Sequence, residues 1–307
     1  MRRISILVRL VILLLAVFYV KNIFTGPKES QTEPEWMETQ HYGITQTGTE
    51  VQASEQTDGI DDYVDSLASW EVGKPIERTK EEVLQRLSEL ALISPVIEEI
   101  YQNHSMYPDE LLSALANNPE MADFVAGYPY GDGVTGGITE AETEQEFPLF
   151  LQWDPRWGYA SYGESCVGLA GCGPTCLSMV LFYLTGDETL TPDVIAGYSE
   201  ENGYYVRGTG TAWALMKDVP GLYGIRVSEV SLSETNMKAA LDSGSIIICA
   251  MRRGYFTTSG HYIVIYGYDM DGFMVNDPNC VARSNERWSF SDIQYQINNI
   301  WSYRRAG

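Results

Sequence analysis

The chain has 307 residues, of which 44% are apolar and 20% are charged, and its formal net charge at pH 7 is −22. This length and composition allow one or two globular domains. The acidic balance argues against a nucleic-acid partner, because phosphate backbones bind basic protein surfaces.

The N-terminus has the pattern of a signal anchor. Two arginines precede a run that is almost wholly apolar from Leu10 to Val20, and no small-residue cleavage pattern follows in KNIFTGPKES. Residues 4–20 approach the lower length limit for a membrane span if Arg9 snorkels to the interface. The sequence therefore predicts a signal anchor over 1–24, with a cleaved signal peptide as the alternative. In either case the rest of the chain is expected outside the cell.

An acidic, polar segment follows the predicted anchor. Residues 25–62 are rich in Thr, Gln, Glu and Ser and lack apolar periodicity, so they cannot bury enough surface to offset the entropy of ordering. Residues 22–146 together carry 26 acidic and five basic side chains, which is typical of a solvated, self-repelling spacer. The sequence predicts a disordered linker over 25–62.

Residues 63–127 are predicted to form a small helical module. Its helix starts are marked by capping residues or prolines: Thr79, Ser94, Pro108 and Asn118. We find no cluster of catalytic or metal-ligating side chains in it, so its expected role is packing or partner binding. The Gly- and Glu-rich segment that follows, 128–146, is predicted to be a second linker.

Residues 147–307 have the pattern of an α+β domain. A capped helix that ends near Gly244 precedes the continuous apolar strand IIICAM. The segments HYIVIYGYD and GFMVND are typical of two strands joined by a turn around 269–272. Because helices come first and strands cluster toward the end, the fold class is α+β.

The stretch GCGPTCLSMVLFYLTG predicts a buried helix with a cysteine at its start. Cys172 lies at the helix cap or just before it, where unpaired N–H groups and the helix dipole stabilise a thiolate. Cys176 lies within the helix and is expected to be a core thiol. The alternative is that both cysteines pack inertly, as buried cysteines usually do.

His261 is the candidate base, because it is the only histidine in 147–307. Asp277, in MVNDPN, could orient its imidazole. A two-residue turn between the strands would place Asp277 opposite Tyr266, whereas a loop of about eight residues would place it opposite Tyr262, next to His261. Asn-Asp-Pro is also an ordinary turn signal, so spacing alone leaves the triad geometry open.

Four motifs in order, GCGPTCLSMVL, GTAW, SGHYIVIYGYD and VNDP, resemble the family-39 type of cysteine peptidase in its free-standing, 39-like form. The resemblance covers 147–307 and implies a papain-like fold with Cys172 as nucleophile, His261 as general base and acid, and Asp277 orienting the imidazole. It also implies that Gln152 donates to the oxyanion beside the backbone N–H of Cys172. The bacteriocin-leader peptidases of this type precede an ATP-driven transporter, whereas this sequence contains no Walker motif.

The sequence thus predicts an exported, membrane-tethered bacterial cysteine peptidase that acts on a peptide or protein through an acyl-thioester, without cofactor or metal. One alternative on the same residues is a cell-wall amidase or endopeptidase, and another is a transpeptidase. A further alternative is a non-catalytic domain that binds peptides or carbohydrate. A metal site at Cys172 and Cys176 is least favoured, because the remaining ligands are missing. Disulfide pairing among the five cysteines stays open.

Overall fold

The computed structural model describes residues 70–131 and 133–306, which belong to one compact unit. The predicted signal anchor (1–24), the acidic linker (25–62) and the first residues of the helical module lie outside the described residues. Within the described part of the chain, no helix is both long and apolar enough to cross a membrane.

The helical module begins its helices where the capping signals predict. Thr79 and Glu82 form a reciprocal capping box, and the Ser94 hydroxyl accepts the N–H of Ile97. Asn118 caps a short 3-10 turn, Pro119–Met121. The helices are α1 (Lys80–Ala91), α2 (Pro95–Gln102), α3 (Asp109–Asn117) and α4 (Ala122–Gly127).

The module shares a hydrophobic core with the rest of the unit. Apolar residues of α1 to α4, among them Leu87, Ile100 and Phe124, pack in one cluster with Trp153 and Val281. Burial of this shared apolar surface stabilises the contact between the two parts. The module is therefore a packed layer of the unit.

The predicted linker 128–146 contains a short helix, α5 (Glu140–Glu144), which starts at a capping box formed by Thr139 and Glu142. Glu142 is buried and both of its carboxylate oxygens accept from Arg156, at 2.7 and 2.8 Å. Bidentate pairs of this kind are geometrically specific. The second half of this linker is thus tied to the domain that follows.

The C-terminal part folds as the expected mixture of helices and strands. Its helices are α6 (Val167–Ala170), α7 (Cys172–Thr185), α8 (Pro192–Glu201), α9 (Trp213–Asp218), α10 (Glu234–Asp242), α11 (Val281–Ser284) and α12 (Phe290–Ile293). Its strands are β1 (Ser161–Tyr162), β2 (Ser165–Cys166), β3 (Tyr205–Val206), β4 (Gly210–Thr211), β5 (Ile225–Glu229), β6 (Ile246–Arg252), β7 (Gly260–Tyr268), β8 (Phe273–Asn276), β9 (Arg287–Trp288) and β10 (Ile297–Arg305).

An antiparallel sheet in the order β5-β10-β6-β7-β8-β9 forms the centre of this part. Alternate residues of β6 pack in different clusters: Ile248 lies with Leu177 of α7, and Ile247 lies with Met237 of α10. Burial on both faces explains why β6 is a continuous apolar run and not an alternating one. The sheet therefore fixes α7 against one face, which positions the start of that helix.

Candidate active site

Cys172 is the first residue of α7, directly after its cap, Gly171. Its side chain is half-buried and lines an open cleft of about 920 Å³. The first N–H groups of a helix have no intrahelical acceptor, so the sulfur lies beside free donors and the positive end of the helix dipole. Cys176 is fully buried, and burial raises its thiol pKa well above the ordinary value. The two cysteines therefore differ in burial, and Cys172 is the one that lines the cleft.

His261 and Asp277 lie in direct contact. Nε2 of His261 is 2.7 Å from Oδ1 of Asp277, and both side chains are buried. The Cys172 side chain lines the same cleft as this imidazole and is close enough to act on its pKa. Because Nε2 is committed to the carboxylate, Nδ1 is the ring nitrogen left to exchange a proton with the sulfur.

The connection between β7 and β8 differs from both turn lengths considered for the sequence. A four-residue turn, 269–272, joins the strands, and a bulge between Ile265 and Gly267 shifts their register by one. Asn276 consequently pairs with Val264, which places Asp277 one step further along, beside Ile263. Residues i and i+2 of a strand share a face, so Asp277 arrives on the face of His261. Spacing alone could not predict the bulge.

The charges around the pair favour an ionised state. Burial by itself would lower the pKa of His261, but the Asp277 carboxylate and, to a smaller extent, the nearby Cys172 more than offset it and raise that pKa to about 9. Burial by itself would raise the pKa of Asp277, but the charges of Arg283 and His261 hold it down at about 2. An imidazolium held in this way can stabilise a thiolate beside it.

Two residues that fix Asp277 were missed by the sequence analysis. Arg283 is buried, and its Nε donates to Oδ2 of Asp277 at 2.6 Å. The Ser284 hydroxyl accepts the backbone N–H of Asp277 at 2.9 Å. Both belong to α11, a single turn directly after the Asn-Asp-Pro signal. An arginine six residues after a candidate acid is a weak signal, because many surface arginines have such spacing.

Gln152 lies in the same cleft as Cys172 and His261. It is buried, its backbone N–H donates to the Pro278 carbonyl at 2.7 Å, and its Nε2 donates to the Gly168 carbonyl at 2.9 Å. The amide carries two hydrogens, and the bond to Gly168 uses one of them. Its Oε1 has no hydrogen-bond partner in the described part of the chain. The four predicted site residues are thus brought together.

The cleft has walls from both parts of the unit. The helical module contributes Glu110 and Met121, and the C-terminal part contributes Tyr205, Trp213 and Phe256. Its volume is in the range of ligand-binding clefts. The five cysteines, all among the described residues, are free thiols, and no three potential metal ligands cluster in the described ranges.

The profile of the Peptidase_C39 like family matches residues 144–306, which is more than half of the chain. The peptidase domain of Streptococcus ComA, a bifunctional ABC transporter involved in quorum sensing, is 18% identical. That alignment covers 44% of this chain and 92% of that one, with a TM-score of 0.35. A C39-like peptidase from Bacillus anthracis is 13% identical over 56% of this chain and 98% of its own, also with a TM-score of 0.35. The comparison with curated proteins finds no match.

Proposed function

Because this chain belongs to the Peptidase_C39 like family, we propose that it is a cysteine peptidase that hydrolyses a peptide or amide bond with Cys172 as its nucleophile. The observation that carries the proposal is the His261 imidazole, which is bonded to the buried Asp277 carboxylate and lines the same cleft as Cys172 at the start of α7. Covalent catalysis of this kind requires a nucleophile, a base and a group that orients the base, and the three residues lie in or beside one cleft.

The reaction follows from these contacts. The Cys172 thiolate attacks the substrate carbonyl carbon, and the carbonyl π electrons move to oxygen to form a tetrahedral oxyanion. The backbone N–H of Cys172 and the free amide hydrogen of Gln152 stabilise that oxyanion. When the oxyanion collapses, the C–N bond breaks and the leaving amine takes the proton of the His261 imidazolium.

The acyl-thioester is then hydrolysed by the reverse sequence of proton transfers. His261, now neutral, takes a proton from water as the water oxygen attacks the thioester carbonyl. Collapse of the second tetrahedral oxyanion breaks the C–S bond and releases the carboxylic acid, which loses its proton to solvent. The imidazolium and thiolate are restored for the next turnover.

We further propose that the enzyme acts outside the cell and is tethered to the membrane by residues 1–24. The basic and then apolar pattern of that segment supports the location. An extracellular active site fits a peptide or protein substrate that the cleft can admit from solution. A full-length N-terminus in the exported protein, read by mass spectrometry, is the expected result; a mature N-terminus near residue 25 would contradict the anchor.

Alkylation of the full chain with iodoacetamide tests the nucleophile. Across about pH 5 to 8, the range in which histidine normally titrates, we expect adducts at Cys172 that persist at the acid end. The other four cysteines are buried and serve as internal controls for accessibility. We expect His261→Ala to slow the reaction of Cys172 at the acid end at least about tenfold, because the imidazolium partner is lost.

His104→Ala is the matched control for removal of a histidine. His104 lies in the helical module, where its Nδ1 contacts the Tyr101 carbonyl, so its loss leaves the cleft unchanged. The proposal fails if Cys172 of the unmodified sequence reacts like an ordinary thiol at every pH and His261→Ala has no effect.

A further inference from the structure

The helical module makes direct contact with the loop that carries the proposed triad acid. Glu120, which lies between α3 and α4, is fully buried. Its Oε2 accepts the backbone N–H of Val281 and its Oε1 accepts that of Ala282, both at 2.8 Å. These residues are 161 and 162 positions away in sequence, so the contact exists only in the folded unit.

The two N–H groups belong to the first turn of α11, and this is the helix whose side chains hold Asp277. Arg283 and Ser284, in the same turn, contact the Asp277 carboxylate and backbone respectively. A buried carboxylate that accepts two N–H groups is a strong, charge-assisted anchor. A line of contacts therefore runs from Glu120 through α11 to Asp277 and then to His261.

A second contact from the module supports the same loop. The Asn118 side-chain amide donates to the Asn279 carbonyl, and the Trp153 indole donates to that carbonyl as well, at 3.1 Å. Side chains of the helical module thus bond to the Asn279 carbonyl, through Asn118, and to the first N–H groups of α11, through Glu120. Of the residues that bond to the loop 277–284, Glu120 and Asn118 precede the family match, which begins at residue 144.

The electrostatics are consistent with this role. Arg283 is buried and its charge acts on both Asp277 and Glu120. Burial raises the pKa of the Glu120 carboxyl, whereas the two N–H donors, the Cys280 thiol and Arg283 act to lower it. The Arg283 guanidinium is bonded to Asp277 and attracted by the nearby charge of Glu120, while His261 is bonded to the other oxygen of Asp277.

We propose that Glu120 is a positioning residue, through which the helical module holds the loop 277–284 and so aligns Asp277 with His261. This inference rests on the proposed function of Asp277 and His261. It makes the module a permanent part of the active enzyme and distinguishes it from a removable spacer. Loss of Glu120 removes the acceptors that hold the first turn of α11, so Asp277 is held less firmly. The interaction by which Asp277 stabilises the imidazolium of His261 then weakens.

The test measures the pKa of His261 directly, by NMR titration of histidine ring carbons in the labelled full chain. His261→Ala assigns the resonance among the three histidines. We expect Glu120→Gln to lower the pKa of His261 by about 0.5 to 1 unit, the size expected when a hydrogen bond to a charged group is weakened. Removal of a nearby negative charge acts in the same direction.

Glu99→Gln is the matched control, because Glu99 is an exposed glutamate on α2 of the same module. It is expected to leave the pKa of His261 unchanged. Glu120→Asp keeps the charge but withdraws the acceptors, so we expect a smaller fall than in Glu120→Gln. Thermal unfolding of each variant shows whether it is folded. If Glu120→Gln does not fold, Glu120→Asp carries the test.

The outcomes separate this inference from the proposed function. If His261 of the unmodified chain titrates at its ordinary value and Cys172→Ala does not change it, the proposed ion pair fails. If His261 titrates high and responds to Cys172→Ala, but each folded Glu120 variant gives the same value as Glu99→Gln, only the inference about Glu120 is overturned.

Discussion

Nε2 of His261 lies 2.7 Å from Oδ1 of Asp277, and the second oxygen of that carboxylate accepts from Arg283 at 2.6 Å. The carboxylate is fully buried, so both of its oxygens are used by cationic partners and solvent does not compete. This arrangement holds the imidazole in one orientation. In the proposed mechanism, the reaction depends on the charge state of His261.

The first prediction concerns the alkaline limit of activity. Because the pKa of His261 is raised to about 9, the imidazolium persists through neutral pH, and its proton for the leaving amine is lost only as the pH rises through that value. Peptide hydrolysis is therefore expected to decline near pH 9. Asp277→Asn removes the negative charge that stabilises the His261 imidazolium. The pH at which peptide hydrolysis declines should therefore move toward the ordinary histidine pKa of 6.5. The check is kcat/KM against pH; superimposable alkaline limbs in the two proteins would contradict it.

The second prediction concerns Gln152. Gln152→Ala removes the amide hydrogen proposed to stabilise the oxyanion, and loss of one such donor typically lowers kcat by about 100- to 1,000-fold. The measurement is the rate of acyl-enzyme formation with an activated ester, followed as a burst of leaving group. Alkylation of Cys172 passes through no oxyanion and should change far less.

Gln102→Ala is the control for the second prediction, since Gln102 lies on α2, where its amide contacts only Glu98. It is expected to form the acyl-enzyme at the rate of the unmodified chain. Equal burst rates for Gln152→Ala and Gln102→Ala would remove Gln152 from the oxyanion site.

The third prediction concerns stability. Arg283→Met leaves a buried carboxylate with one ionic partner fewer, and breaking a buried pair in this way costs about 3–5 kcal/mol. The lowered pKa of Asp277, about 2, means that its contribution to stability is present above 3.8, the ordinary value, and is lost as the pH falls toward about 2. Without Arg283 that pKa rises toward 3.8, so the part of the stability that is lost in acid should become smaller.

Urea unfolding at several pH values measures both effects of the third prediction. Arg304→Met is the control, because Arg304 is exposed at the end of β10; surface substitutions of this kind usually change stability by less than about 0.5 kcal/mol. Similar unfolding free energies for the two variants would mean that the Arg283 pair is energetically neutral.

The fourth prediction concerns Gly173, which follows Cys172 at the start of α7. A Cβ at Gly173 would lie 2.8 Å from both Cβ and Oγ1 of Thr211, so Gly173→Ala must displace the cleft wall or α7. We expect a loss of about 1–3 kcal/mol in the free energy of unfolding, as is typical of overpacking. Gly197→Ala in α8 meets nothing within 4 Å and should stabilise by up to about 1 kcal/mol. Thermal unfolding compares the two; a stabilised Gly173→Ala would contradict the close packing.

Local patterns in the sequence were enough to predict the helix starts and the difference between the two cysteines. Capping residues such as Thr79 act within three positions, and the start of α7 places Cys172 and Cys176 by helical geometry alone. His261 could be selected because it is the only histidine of its domain. Each of these inferences needs only short-range interactions.

The support of the site was decided by tertiary structure. The bulge near Tyr266 sets the position of Asp277, and no residue pattern in the two strands announces it. Arg283 and Glu120 become partners of that loop only when the sheet and the helical module pack together, over as many as 162 positions of sequence. Interactions between residues so far apart in sequence form only when the chain folds. The residue patterns that predict helix caps and strands involve near neighbours, so they can be read from the sequence itself.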